Sequence, residues 1–237
     1  MYNFSAKTVV VTGAAGALGQ AVVDYFLQQG ANVALIDISQ AAFDASYANT
    51  AETDQQIFLS ADLTSRSSVA DAFAAVIEKW QQIDILANIA GGFMMGEAVH
   101  QTSDKTWDFL FQLNSKSIVH TAAVVVPHMQ QHDGGKIINI SAGAAHQGIA
   151  NMGAYVASKS TVLRLTESMA QELRQDAINV NAILPGMIDT PRNRSDMPDA
   201  DFSSWVPTQK IAEVVGFLAS DAASEIHGAG IPVIGLS

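Results

Sequence analysis

The stretch Lys7-Thr8-Val9-Val10-Val11-Thr12-Gly13-Ala14-Ala15-Gly16-Ala17-Leu18-Gly19 joins two sequence textures. Residues 7 to 11 form a short β-branched run, the composition of a buried strand. From 17 to 29 apolar residues recur at helical spacing, at Leu18, Val22 and Phe26, and the pattern stops at Gly30. Gly13 to Gly19 therefore connect a strand to a helix. Glycines at 13, 16 and 19 permit a tight turn and let a pyrophosphate approach the backbone N–H groups at the helix start. No Gly-Lys-Ser/Thr follows, which argues against a P-loop. Asn32 to Ile36 is again a strand, ending at Asp37, and completes a βαβ unit.

The alternation continues outward. Gln56 to Leu59, Ile83 to Ala87, Lys136 to Ile140, Asn179 to Leu184 and Ile231 to Ile234 read as strands. Helical patterns cover about 65 to 80, 103 to 130 (Trp107, Leu110, Leu113, Ile118, Val125), 153 to 175 and 211 to 218. Seven apolar strands separated by about six helices predict an α/β fold of the doubly wound, Rossmann type: a mostly parallel seven-stranded sheet with helices on both faces. No low-complexity linker or internal repeat divides the chain, so residues 1–237 read as one domain. The segment 186–207 has no clear period and holds three prolines, the marks of a substrate loop.

Composition narrows the function. The chain has 237 residues, 49% hydrophobic and only 15% charged. So little charge hints that part of the surface is covered in an oligomer. The net charge of −11 repels a phosphate backbone, so nucleic acid is not an expected partner. A cofactor pyrophosphate remains acceptable, because it needs only local N–H groups. There is no cysteine, hence no disulfide, thiolate nucleophile or cysteine metal site. His128 and His132 are four apart but read as polar residues near a helix end, and no metal site is expected. Neither a signal peptide nor an apolar run of membrane-spanning length is evident, so no membrane partner and a cytoplasmic location are expected.

At the cofactor end, Asp37 lies eighteen residues beyond Gly19. A carboxylate there accepts hydrogen bonds from adenosine ribose hydroxyls and repels a 2′-phosphate. No lysine or arginine lies within 13–19 or 36–42, so NAD is favoured over NADP. Ala61-Asp62-Leu63 follows the third strand; Asp62 either meets the adenine amino group or caps a helix near Thr64. Asn88-Ile89-Ala90-Gly91-Gly92 ends the fourth strand, where small residues let backbone run beside a flat cofactor. Asn88 either contacts that cofactor or braces the turn.

Tyr155 and Lys159 lie four apart on a predicted helix and share a face. A neighbouring ammonium lowers a phenol's pKa, so the tyrosine can exchange a proton with a substrate oxygen. As a bare pair these are more often surface residues. The surrounding motifs change that: Thr12 to Gly19, Asp62, Asn88-Ile89-Ala90-Gly91, Asn114, Asn139-Ile140-Ser141, Tyr155-Val156-Ala157-Ser158-Lys159, Asn181-Ala182-Ile183-Leu184-Pro185-Gly186 and Thr190. In this order they resemble the short-chain dehydrogenase/reductase family over essentially the whole chain. The resemblance implies an NAD(H)-dependent oxidoreductase that transfers hydride to or from a small carbonyl or hydroxyl substrate. It implies Tyr155 as proton donor or acceptor, Lys159 as ribose ligand and pKa-lowering neighbour, and Asn114 as the holder of a relay water. Gly13, Gly16, Ala17, Leu18, Gly19, Leu63, Ala90, Pro185 and Gly186 fall in its cofactor site, with Ile188 and Thr190 near the nicotinamide carboxamide. It also implies a homodimer or homotetramer.

Three positions depart from the family pattern. Ala17 and Ile89 replace a usual glycine and asparagine. The substrate-orienting serine usually lies thirteen residues before the tyrosine, and that position is Ala142. Ser141 is one place earlier, on the opposite side of a strand; a one-residue bulge would bring it back into a catalytic place. The missing serine resembles dihydropteridine reductase, which makes a quinonoid dihydropterin an alternative substrate. A cofactor-binding protein with impaired catalysis is a second alternative, and an isomerase or epimerase using bound NAD a third.

Overall fold

The computed structural model describes residues 2–48 and 50–236. Strands and helices alternate along the chain: β1 (Thr8–Thr12), α1 (Ala17–Gln28), β2 (Asn32–Asp37), α2 (Gln40–Ser46), β3 (Gln56–Ser60), α3 (Arg66–Trp80) and β4 (Ile85–Asn88). Then come α4 (Asp104–Phe111), α5 (Ser117–Gln130), β5 (Gly135–Ile140), α6 (Gly153–Glu172), β6 (Ile178–Pro185), β7 (Ile188–Asp189), α7 (Pro191–Asp196), β8 (Val206–Pro207), α8 (Thr208–Ala219) and β9 (Gly230–Val233).

Seven strands form one parallel sheet in the order β3-β2-β1-β4-β5-β6-β9. The order reverses between β1 and β4, so the loops after these strands part and leave a crevice. Both faces are covered, which is why the strands read as unbroken apolar runs. Val9, Val11, Val33, Leu35, Ile85 and Ala87 pack towards α1 and α8. Val10, Ala34, Ile36 and Leu86 point the other way, into the core under α3 and α5. Each fully buried valine or leucine contributes about 1.5–3 kcal/mol of transfer free energy.

Two short helices fall outside the expected pattern. α2 buries only Phe43, too little for a periodic signal. α7 lies inside 186–207, started by the Thr190 side chain, which accepts from the Asn193 N–H, with Pro191 in its first turn. The ends of this segment are joined by the parallel pair β7–β8 and by the Val206 N–H on the Met187 carbonyl at 2.8 Å.

The long helix expected over 103–130 is interrupted. Residues Gln112–Lys116 form a π turn between α4 and α5. By length and composition alone Asp104–Gln130 could cross a membrane, since its most apolar 18-residue window has a mean hydropathy of 1.2. In this fold it is a packed helix: α4 lies on α6 and α5 on α3, and it buries Asn114, Ser115, His120 and Thr121.

Candidate active site

The crevice at the carboxyl ends of the strands is a cleft of about 1650 Å³. Common small-molecule sites measure roughly 300–1,000 Å³, so this one accommodates more than a single small ligand. Its floor is the turn between β1 and α1. Gly13 has φ +66°, and a Cβ there would stand 2.7 Å from the Ala90 Cα. A Cβ on Gly19 would stand 2.1 Å from the Gly13 carbonyl oxygen. Only glycine lets the turn, the helix start and the loop after β4 approach so closely. α2 braces the same turn: the Ser46 and Tyr47 hydroxyls donate to the Ala15 and Ala14 carbonyls at 2.8 and 2.9 Å.

Asp37 closes this end. Its Oδ2 accepts from the Ala15 N–H and its Oδ1 from the Ile38 N–H, each at 2.8 Å. The cationic residues lining the cleft are Lys159 and Arg192, on the far side of the sheet order from β2. Asp62 and Leu63 also line the cleft. Asp62 Oδ1 accepts from the backbone and hydroxyl of Thr64, while the N-cap of α3 is Ser65. The site fits a nicotinamide dinucleotide: exposed backbone at a helix start, an acidic strand end, and a glycine-lined wall formed by Ala90, Gly91 and Gly92.

Tyr155 occupies the first turn of α6 and faces the cleft beside Lys159. Lys159 is buried, and its Nζ donates to the Ile140 carbonyl at 2.9 Å. Burial holds its ammonium down at about 8. The Tyr155 phenol moves the other way: burial pushes it up to about 12. The sequence expectation of a lowered tyrosine pKa is therefore corrected. Desolvation of the phenol is the cause, and the same dry surroundings disfavour the Lys159 charge.

Asn114 sits in the π turn, which aims its amide at the loop after β4. Its Oδ1 accepts from the Gly92 N–H at 2.7 Å, and its Nδ2 donates to the Gly92 carbonyl and to Ser158 Oγ. Ser158 in turn donates to the Tyr155 carbonyl at 2.8 Å. A Cβ on Gly91 would stand 3.0 Å from Lys159 Nζ and 3.1 Å from Asn114 Oδ1, so these groups meet at one point of the wall. π turns are often found at functional sites, where the extra residue re-aims a side chain.

Ser141 itself lines the cleft. β5 keeps its register with β6 through Ile140 and Ile183 with no bulge, and the Ser141 N–H continues the ladder to the Ile183 carbonyl. Its hydroxyl donates to the Lys159 carbonyl at 2.8 Å, and Ala142 lines the cleft beside it. Asn88 is turned away: its amide bridges Asn139 and Thr121 inside the sheet. Thr190 spends its hydroxyl capping α7, whereas Pro185, Gly186 and Ile188 line the cleft. Gly13, Gly16, Ala17, Leu18, Gly19 and Ala90 line it as well.

Residues outside the expected set also shape the site. Phe93 sets its ring edge-on to Tyr155, with centroids 4.8 Å apart at 81°. The exposed Phe93-Met94-Met95 string after two glycines was the available signal. Arg194 is held by Asp189 through two bonds of 2.6 and 2.7 Å, so its charge is already matched, while Arg192 lies 3.6 Å from Asp196. No group of histidine, cysteine, aspartate or glutamate residues suited to a metal occurs among the described residues.

The family model described as short chain dehydrogenase matches residues 7–201. The chain is 32% identical to an NAD-dependent glycerol dehydrogenase of Listeria innocua, covering 99% of this chain and 94% of the relative. It is also 32% identical to a 2-(R)-hydroxypropyl-CoM dehydrogenase of Xanthobacter autotrophicus, covering 97% of each. Among solved structures, levodione reductase superposes with a TM-score of 0.90 at 26% identity, covering 98% of each chain.

Proposed function

The chain belongs to the short-chain dehydrogenase/reductase family and is a nicotinamide-dependent oxidoreductase of small organic molecules, and on that premise we propose that Tyr155 serves as its acid and base with NAD(H) as cofactor. The reaction is reduction of a carbonyl or oxidation of the matching alcohol. The observation that carries the reading is the opening of Tyr155, Lys159 and the glycine turn onto one cleft.

When bound, the nicotinamide supplies or takes up the hydride. Tyr155 gives its phenolic proton to the developing alkoxide in reduction and removes the alcohol proton in oxidation. A phenol near 12 stays protonated at neutral pH, so the resting site is set for reduction. Lys159 holds the nicotinamide ribose, and Asn114 fixes Gly92 and Ser158 around it. Ser141 supports the first turns of α6 through the Lys159 carbonyl rather than touching substrate. Asp37 selects NAD by accepting from ribose hydroxyls and repelling a 2′-phosphate. The loop 186–207 covers the substrate. Assembly as a homodimer or homotetramer in the cytoplasm is part of this reading.

Tyr155→Phe tests the central claim. Turnover should fall about 10²- to 10⁴-fold while NADH affinity changes little. Turnover equal to the parent would remove Tyr155 from this role. A second reading, reduction of a quinonoid dihydropterin, is favoured by one observation: the Ser141 hydroxyl at the cleft donates to the Lys159 carbonyl, and its neighbour there is Ala142. A screen of NADH oxidation over ketones, quinones and quinonoid dihydropterin separates the two.

A further inference from the structure

The Tyr155 end of the cleft carries a group of large apolar side chains. Phe93 and Met95 come from the loop after β4, Ile149 and Met152 from the approach to α6, and Met187 from the loop after β6. Phe93 is 51% exposed, Met95 61%, Ile149 37% and Met187 38%. Large apolar side chains gathered at the mouth of a cleft are surface that the fold itself leaves uncovered, and such patches mark binding sites.

The polar groups nearby are mostly committed. Ser141 bonds the Lys159 carbonyl, Asn193 Nδ2 donates to the Ile188 carbonyl, and Arg192 faces Asp196. Gln112 and Gln147 are the remaining uncharged amides on the lining. With the Ser141 hydroxyl donating to the Lys159 carbonyl, Tyr155 is the donor placed for one substrate oxygen.

We infer that the substrate is a ketone, or its secondary alcohol, carried on an apolar, ring-sized body with no further hydroxyls. This rests on the redox reading above and names the substrate class for the same site. Phe93 and the methionines bury such a body by apolar contact, ring-edge packing and sulfur–aromatic contact. A ring loses little internal freedom on binding, so its packing orients the carbonyl where a second hydroxyl would otherwise do so. A polyol would bury more hydroxyls than Gln112 and Gln147 satisfy, each unpaired one costing roughly 10- to 100-fold in affinity.

The test is NADH oxidation by the intact protein with alkylcyclohexanones and acetophenone, set against dihydroxyacetone, erythrulose, fructose and quinonoid dihydropterin. The ring ketones should have kcat/KM at least 100-fold higher. A polyhydroxylated or pterin substrate that equals them overturns the inference, as does failure of the ring ketones both to react and to bind. Phe93→Ala should lower kcat/KM for the best ring ketone about tenfold, mainly through KM, and Phe93→Leu should restore most of it. An unmoved KM in Phe93→Ala counts against the packing. Calorimetry of the same ketones with NADH-loaded Tyr155→Phe separates the two readings. Ring ketones that bind there but are not turned over by the parent refute the redox role and leave the ligand class standing. Polyol turnover that is lost in Tyr155→Phe does the reverse.

Discussion

The two ends of the cleft are made differently. Around Gly13 and Gly19 the walls are backbone, held at distances no Cβ tolerates and braced by Ser46, Tyr47 and Asp37. Around Tyr155 they are side chains, Phe93, Met95 and Met187, half-exposed on loops. Backbone walls suit a constant ligand, because sterics leave one arrangement. Side-chain walls suit a ligand that differs between relatives, because methionine and phenylalanine repack at small cost.

The comparison breaks most sharply at Gly19. Gly19→Ala places a methyl 2.1 Å from the Gly13 oxygen, so the turn must open. A loss of about 3 kcal/mol is expected, lowering Tm by roughly 6–12 °C, together with loss of NADH binding. Calorimetry and cofactor titration check it; a variant that binds NADH normally would end the claim that backbone sterics build this end.

Lys159 lies where the two ends meet, and its burial carries a pH signature. Its folded-state pKa of about 8 lies below the ordinary lysine value of 10.5. Below pH 8 both folded and unfolded chains hold the proton, and the buried charge is a constant burden. Between about 8 and 10.5 the folded chain has released a proton that the unfolded chain keeps, so stability rises with pH. Relative to Lys159→Met, the cofactor-free parent should gain up to about 3 kcal/mol across that window. Denaturation of both proteins at pH 7.5 and 10 reads this out; a constant difference would mean the ammonium is solvated.

Asp37→Ala probes the one side chain that finishes the backbone end. NADH affinity should fall roughly tenfold, since its charge-assisted bonds are worth about 1.5–3 kcal/mol each, and the preference over NADPH should shrink. Equal affinity of the parent for both cofactors would remove Asp37 as selector. The smallest effect is expected at Ser141. Ser141→Ala should cost about 1 kcal/mol of stability through the lost bond to the Lys159 carbonyl, with kcat changed less than about threefold. A large loss of kcat would place that hydroxyl on the substrate after all.

The same division separates what could be read from the chain and what could not. Thr8 to Gly19 announced a strand, a turn and a helix, and the remaining apolar runs announced a parallel sheet, because burial on both faces leaves a pattern that needs no neighbours to interpret. α2 escaped because one buried phenylalanine in seven residues sets no period. The π turn escaped because Gln112–Lys116 is ordinary helical sequence, and only the contacts of Asn114 with Gly92 and Ser158 give the extra residue a purpose.

The sequence by itself determined the fold, the glycine turn, Asp37 at a strand end and the pair Tyr155 and Lys159 on one helical face. Those follow from periodicity and local sterics, which act within a few residues. Only the tertiary structure decided that Ser141 turns to the Lys159 carbonyl, that Phe93 packs on Tyr155, and that burial drives the tyrosine and lysine pKa values up and down respectively. Hydroxyl direction, ring contact and desolvation depend on segments distant in the chain, so no local pattern encodes them.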